Sequence, residues 1–84
     1  KLLNSNNLKK AAEVINFVKK IKFKSYSLNY KKKIIKKFLK KNKILFDYIE
    51  FLNLNWFKIL KKNSRNMRIF IAFYINKIRL IDNI

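Results

Sequence analysis

Enzyme chemistry near neutral pH draws mostly on imidazoles, thiols, paired carboxylates and glycine-lined phosphate loops. This sequence of 84 residues is nearly bare of them: it has no His, no Cys and no Gly. An imidazole base, a thiolate nucleophile, a Cys/His metal site and a Gly-rich nucleotide loop are therefore excluded. Its acids are Glu13, Asp47, Glu50 and Asp82. Asp47 and Glu50 lie three apart and could share a helix face. They sit beside a Lys-rich run, however, rather than in the dry pocket that acid–base work needs. No catalytic residue, no metal site, no cofactor and no enzyme activity are expected.

What the sequence has in abundance is cationic charge. Lys and Arg number 22 against 4 acids, a formal net charge of +18. A body this small buries only about 60% of the surface its unfolded chain exposes. Self-repulsion works against the compact state. The expected resolution is a polyanionic partner. The basic residues are mostly Lys, alongside many Asn, Ile, Phe and Tyr, residues that share A/T-rich codons. That bias points to an organelle, with the mitochondrion expected first and another A/T-rich organelle as the alternative. The chain begins at Lys1 rather than Met, which suggests a processed or partial product.

The elements that would carry the charge read as helices. Gly and Pro are both absent and half the residues are hydrophobic, so nothing obvious breaks a helix. After KLLNSNN, with Ser5, Asn6 and Asn7 as candidate N-caps, Leu8, Ala11, Ile15 and Val18 recur at three and four spacing, with Ile21 close by. That is one amphipathic helix. SYSLNY, residues 25 to 30, favours a connection. Residues 31 to 52 read as a long second helix. Ile34, Ile35, Phe38, Leu45, Phe46, Ile49 and Leu52 fall within an arc of roughly 120° on the wheel. Asp47 is expected to pair with Lys43 one turn back. LNLN, residues 52 to 55, is a candidate turn, and Trp56, Ile59 and Leu60 start another stripe. From Met67 to Ile84 the chain is apolar on nearly every side and reads as helix, although its Ile, Phe and Tyr content also suits a strand. The longest uncharged run, Ile69–Asn76, is far short of the roughly eighteen residues a membrane span needs. No membrane span and no signal peptide are expected. The fold class is all-α: a helical hairpin or small bundle of three to four helices with a long central basic helix.

KKKIIKKFLKKNK, residues 31 to 43, places eight Lys on that central helix. An ordinary solvated face mixes signs; this one barely does. Nucleic-acid phosphate is the favoured partner, with a membrane surface or bulk solvent as the alternatives. Lys is a point charge, so the binding should be phosphate-dominated, with little base reading. Tyr48, at the edge of the basic face, could pack on a sugar or simply cap the core.

Read as one unit, KKKIIKKFLKKNKILFDYI resembles the signature stretch of the ribosomal small-subunit protein S-fifteen family. Lys32 and Lys33 stand at its Arg pair, and Leu45, Phe46, Asp47, Tyr48 and Ile49 at its Leu-Leu-Asp-Tyr-Leu. Phe57, Leu60, Ile15, Asn16 and Val18 continue the register, so the likeness runs from about residue 5 to 62. The resemblance implies an rRNA-binding role at a helical junction, with RNA-binding residues Asn7, Lys32, Lys33, Lys36, Lys37, Lys40, Lys43 and Tyr48. The chain departs from that family in lacking its first helix and its His, Asp and Ser at the minor groove. The domain reading is one domain over 1–84, with a family-like core at 5–62 and a C-terminal extension at 63–84, whose apolar part, 69–84, would dock on neighbouring ribosomal proteins. NSRNMR and INKIRLI also echo ribosomal large-subunit protein L-twenty-nine. The function expected is therefore that of a structural ribosomal protein with no small-molecule substrate. An accessory subunit of a membrane complex, held on anionic lipid, and a DNA-compacting protein are the alternatives.

Overall fold

The computed structural model describes residues 4–53, 58–59 and 67–84. Helix α1 spans Ser5–Lys22 and helix α2 spans Leu28–Lys41. Strands β1 (Phe46–Asn53), β2 (Lys58–Ile59), β3 (Met67–Ile75) and β4 (Ile78–Asn83) follow. The strands form one sheet in the order β2-β1-β3-β4, with every neighbouring pair antiparallel. The all-α expectation is wrong: a helical hairpin packs on one face of a sheet.

The first helix begins where a cap is available. Asn4 Oδ1 accepts from the Asn7 backbone N–H at 2.8 Å, meeting one of the donors a helix start leaves unpaired. That cap lies one residue before the three candidates. Ser27 starts α2 in the same way, its Oγ accepting from the Tyr30 N–H at 3.2 Å. The stripes are close to those expected. Val14, Val18 and Ile21 of α1, with Leu28, Ile35 and Leu39 of α2, are buried, while Leu8 is exposed. Phe17 and Phe38 stack with ring centroids 4.0 Å apart and join the two helices.

The expected helix over 31–52 stops at Lys41 instead. Lys43 adopts φ 57°, in the left-handed region. The Lys43 N–H donates to Lys40 O at 3.0 Å and the Ile44 N–H to Leu39 O at 2.8 Å. Those paired bonds define a Schellman termination. It usually uses glycine; here a lysine takes the strained place, at a cost of roughly 1–2 kcal/mol, and buried Ile44 and Leu39 close the motif from below. With no Gly to mark the stop, the apolar residues of β1 fit the same helical stripe.

The expected helix from Met67 onward is a hairpin. Met67, Ile69, Ile71, Phe73 and Ile75 are all buried, a period of two that only a strand produces. Asn76 and Lys77 have φ 51° and 69°, and Ile75 pairs with Ile78. Two positive φ values in a two-residue loop are the signature of a type I′ turn, again built without glycine. Beyond Asn83 the ladder continues, with Ile69 and Ile84 exchanging both backbone bonds at 2.8 Å. Leu52 and Asn53, expected in a turn, end β1 and pair with Ile59 and Lys58. Trp56, Leu60 and NSRN lie outside the described residues.

Candidate functional site

The α2 lysines do not share one solvent-facing surface: Lys31 is buried and Lys32 is ion-paired, while the others range from exposed to half-buried. Lys33, Lys37 and Lys40 point to solvent on the side away from Ile35 and Leu39, and Lys36 is half-buried at the flank of the apolar stripe. Lys43 sits in the loop just past the helix, exposed. Lys32 is spoken for: its Nζ donates to Glu50 Oε1 at 2.7 Å. Asn7 lies in the first turn of α1, its backbone N–H engaged by the cap. Tyr48 does not join the group. It sits on β1 opposite Ala72, half-buried, and not beside the lysines of a helix face.

Asp47 is not paired with Lys43. The register shifts between Phe46 and Tyr48, a bulge at Asp47. The carboxylate there accepts from Arg79 Nε at 2.7 Å and from the Tyr74 hydroxyl at 2.9 Å. These bonds, Arg79's first, hold the Asp47 carboxyl below its usual range, and the bond to Asp47 raises the Tyr74 hydroxyl. The Asp47 and Glu50 pair is thus divided between two structural ion pairs, and no acid–base couple forms.

Among the described residues one lysine is buried. Lys31 is 2% exposed, and its Nζ donates to the Lys22 carbonyl at 2.7 Å, closing the C-terminus of α1. Burial lowers its pKa, and the neighbouring charge of Lys22 lowers it further. Among the described residues no group of three or more His, Cys, Asp or Glu could hold a metal ion. No described helix is long and apolar enough to cross a membrane.

Two hollows remain. The first, about 280 Å³, opens between the start of α1 and the end of α2. Asn6, Lys9, Lys10 and Glu13 form one wall. They follow the i, i+3, i+4, i+7 spacing of a single helix face. Phe38, Asn42 and Ile44 form the other wall, and Val14 the floor. The second, about 330 Å³, lies between α1 and β4 and is mainly apolar, lined by Ala11, Ile15, Phe73, Leu80, Ile81 and Asp82. Nothing in the sequence alone marks the first hollow. The spacing of its α1 wall was visible, but the meeting of that wall with the end of α2 depends on the Schellman stop.

A family model described as pantoate-beta-alanine ligase matches residues 1–84. The chain belongs to the pantoate-beta-alanine ligase family. None of the curated proteins matches it, and neither does any solved structure. This match overturns the S-fifteen resemblance, the L-twenty-nine echo, and the membrane-subunit and DNA-compacting alternatives. The ribosomal role, the rRNA and ribosomal-protein partners, and the expectation of a non-enzyme without small-molecule substrates fall with them. The resemblance misled because alternating Lys and apolar residues fill its register in any A/T-biased amphipathic helix. Its Asp-Tyr core was aligned as helix, and that segment is strand β1. Within the pantoate-beta-alanine ligase family, this chain has only Lys, Arg, Asn, Ser, Tyr and four carboxylates to offer as polar chemistry.

Proposed function

We propose that this chain works in the ATP-dependent joining of pantoate to β-alanine, and that it supplies charge and position rather than a nucleophile. The observation that carries this reading is the family match along all 84 residues. Joining a carboxylate to an amine requires the carboxylate to be activated at the expense of a nucleotide. Two carboxylates and a polyphosphate must then be brought together, and their repulsion must be offset by fixed cations. Helices α1 and α2 carry twelve Lys against one acid, Glu13. Lys33, Lys37, Lys40 and Lys41 are the outward cations of α2 and would draw in anionic substrates.

The test is direct. The purified protein is incubated with ATP, pantoate and β-alanine, and the amide product is followed by mass spectrometry, with ATP omitted as the control. Formation of the amide only when ATP is present is expected. No product under any nucleoside triphosphate, with none of the three substrates bound in calorimetry, would overturn the reading.

A further inference from the structure

Among the described residues the most exposed large apolar side chain is Phe23, at 81%. It caps the C-terminus of α1, at the turn into α2. Tyr26 and Tyr30 are exposed beyond it, and their rings meet edge-on, with centroids 4.9 Å apart and 88° between the planes. Lys22 Nζ stands 5.5 Å from the centroid of the Phe23 ring, within the range of a cation–π contact. Lys19, Lys20 and Lys24 are exposed in the same stretch. The sequence has no acid between Glu13 and Asp47, and among the described residues these three lysines enter no ion pair. Bare aromatic rings and unneutralised cations thus share one end of the helical hairpin. Single exposed apolar residues are ordinary; a cluster of them rimmed by charge marks an interaction surface.

We infer that this end of the hairpin docks an acidic, amphipathic segment of a partner protein. The segment's apolar side chains lie on Phe23, Tyr26 and Tyr30, and its carboxylates meet Lys19, Lys20 and Lys24. The assignment adds to the ligase reading without resting on it. Charge complementarity selects the acidic partner. Tyr and Phe supply large contact area at a small entropy cost, which is why interfaces use them as anchors. A single-stranded nucleic acid fits less well: successive bases stack in parallel on their platforms, whereas Tyr26 and Tyr30 stand at right angles. A bilayer also fits less well. Residues 23–27 are irregular backbone, and driving Phe23 into hydrocarbon would take peptide groups where no water can satisfy them.

The test uses the full chain and three fluorescein-labelled peptides: an amphipathic one of Leu and Glu, the same peptide with every Glu replaced by Gln, and one of Ser and Glu with no Leu. At about 0.15 M salt, where charges are screened beyond roughly 8 Å, the Leu/Glu peptide should bind tightest in fluorescence anisotropy. In isotope-labelled protein it should shift the amide signals of residues 19 to 30. Phe23→Ser with Tyr30→Ser, both at exposed positions, should weaken the Leu/Glu peptide about tenfold, the loss expected of two anchor side chains, and leave the Ser/Glu peptide unchanged. The urea midpoint of the variant, unaltered, shows that the fold is kept. Equal binding of the Leu/Glu peptide by variant and unsubstituted protein would overturn the proposal, as would signal shifts spread along both helices. Tighter binding to poly(U), or to phosphatidylcholine–phosphatidylserine vesicles, that is lost in the same variant would assign the rings to nucleic acid or lipid and overturn it too.

Discussion

The helical layer and the sheet layer divide the work of this molecule. Helices α1 and α2 carry twelve Lys and one acid, whereas strands β1, β3 and β4 carry two Arg and three acids, two of which sit in ion pairs. The cations therefore stand on the layer that folds by local hydrogen bonds. The sheet, which depends on long-range pairing, is close to neutral. Charge repulsion spread along a helix surface is softened by solvent and salt, whereas like charges opposed across a strand pair act at short range. The comparison predicts that substitutions in the sheet reach stability first, and that those on the helix surface reach anion binding first.

The largest effect should come from Phe73, 1% exposed near the end of β3 and paired on both sides. Phe73→Ala removes a core ring from a small domain and should cost about 3–5 kcal/mol, a large part of a total that is rarely above about 15. Urea unfolding followed by circular dichroism measures it. A cost under about 1 kcal/mol would mean that the sheet is not what holds the helices.

Next is Lys31, the one helix cation that belongs with the core rather than the surface. Its pKa in the fold lies below the ordinary value of 10.5, because burial disfavours its charge. Just below pH 10.5 the unfolded chain therefore binds more protons than the folded one. Stability rises with pH through that window. Lys31→Met removes this titration and should flatten the rise seen in urea midpoints as pH approaches 10.5. Lys22 is shifted in the same direction by burial and by Arg68, so part of the slope should persist. A slope unchanged by Lys31→Met would show that the buried ammonium is not the source.

The same division explains what could be read from the sequence. Helix α1 and the body of α2 were legible because three-four spacing is a local signal, although α2 starts at Leu28, inside the expected connection, and is capped by Ser27. The end of α2 was not, because Lys43 takes a conformation that sequence patterns associate with glycine. Once that stop is missed, Leu45, Phe46, Ile49 and Leu52 still fit a helical arc, though Leu45 is in fact 75% exposed. The turn at Asn76 and Lys77 hides the β3–β4 hairpin in the same way. Tyr48 falls at the edge of the basic face only in a helical register; on strand β1 it stands opposite Ala72. The hollow walled by Lys9, Lys10 and Glu13 was invisible because half of it comes from the far end of α2. The family was hidden by the lysine-rich register, which fits more than one kind of basic protein.

On the helix surface, Lys33→Gln, Lys37→Gln and Lys40→Gln together should leave the urea midpoint unchanged or slightly higher, since like charges are removed from one exposed face. The same triple variant should raise KM for ATP several-fold in low salt. That difference should shrink as ionic strength approaches 1 M, where the screening length is about 3 Å. A KM effect that survives high salt would indicate a specific contact instead of a diffuse field. A drop in stability as large as that of Phe73→Ala would break the division between the layers altogether.

The smallest effect sharpens the comparison at the place where, among the described residues, an ion pair joins the layers. Lys32 Nζ of α2 meets Glu50 Oε1 of β1 at 2.7 Å, with both side chains about one-third exposed. Pairs in such settings contribute about 0–1 kcal/mol, because side-chain entropy and solvent offset most of the attraction. A double-mutant cycle with Lys32→Met and Glu50→Gln should therefore return a coupling below about 1 kcal/mol, measured by urea unfolding at low salt. Adding salt should reduce it further, since water reaches both groups. A coupling of several kcal/mol would mean that α2 is held to the sheet by charge as much as by Ile35 and Leu39. In that case the helical layer could not give up its cations to substrate without loosening the fold. A small coupling leaves the apolar seam in charge of docking, and the remaining lysines of α2 free to meet anions from outside.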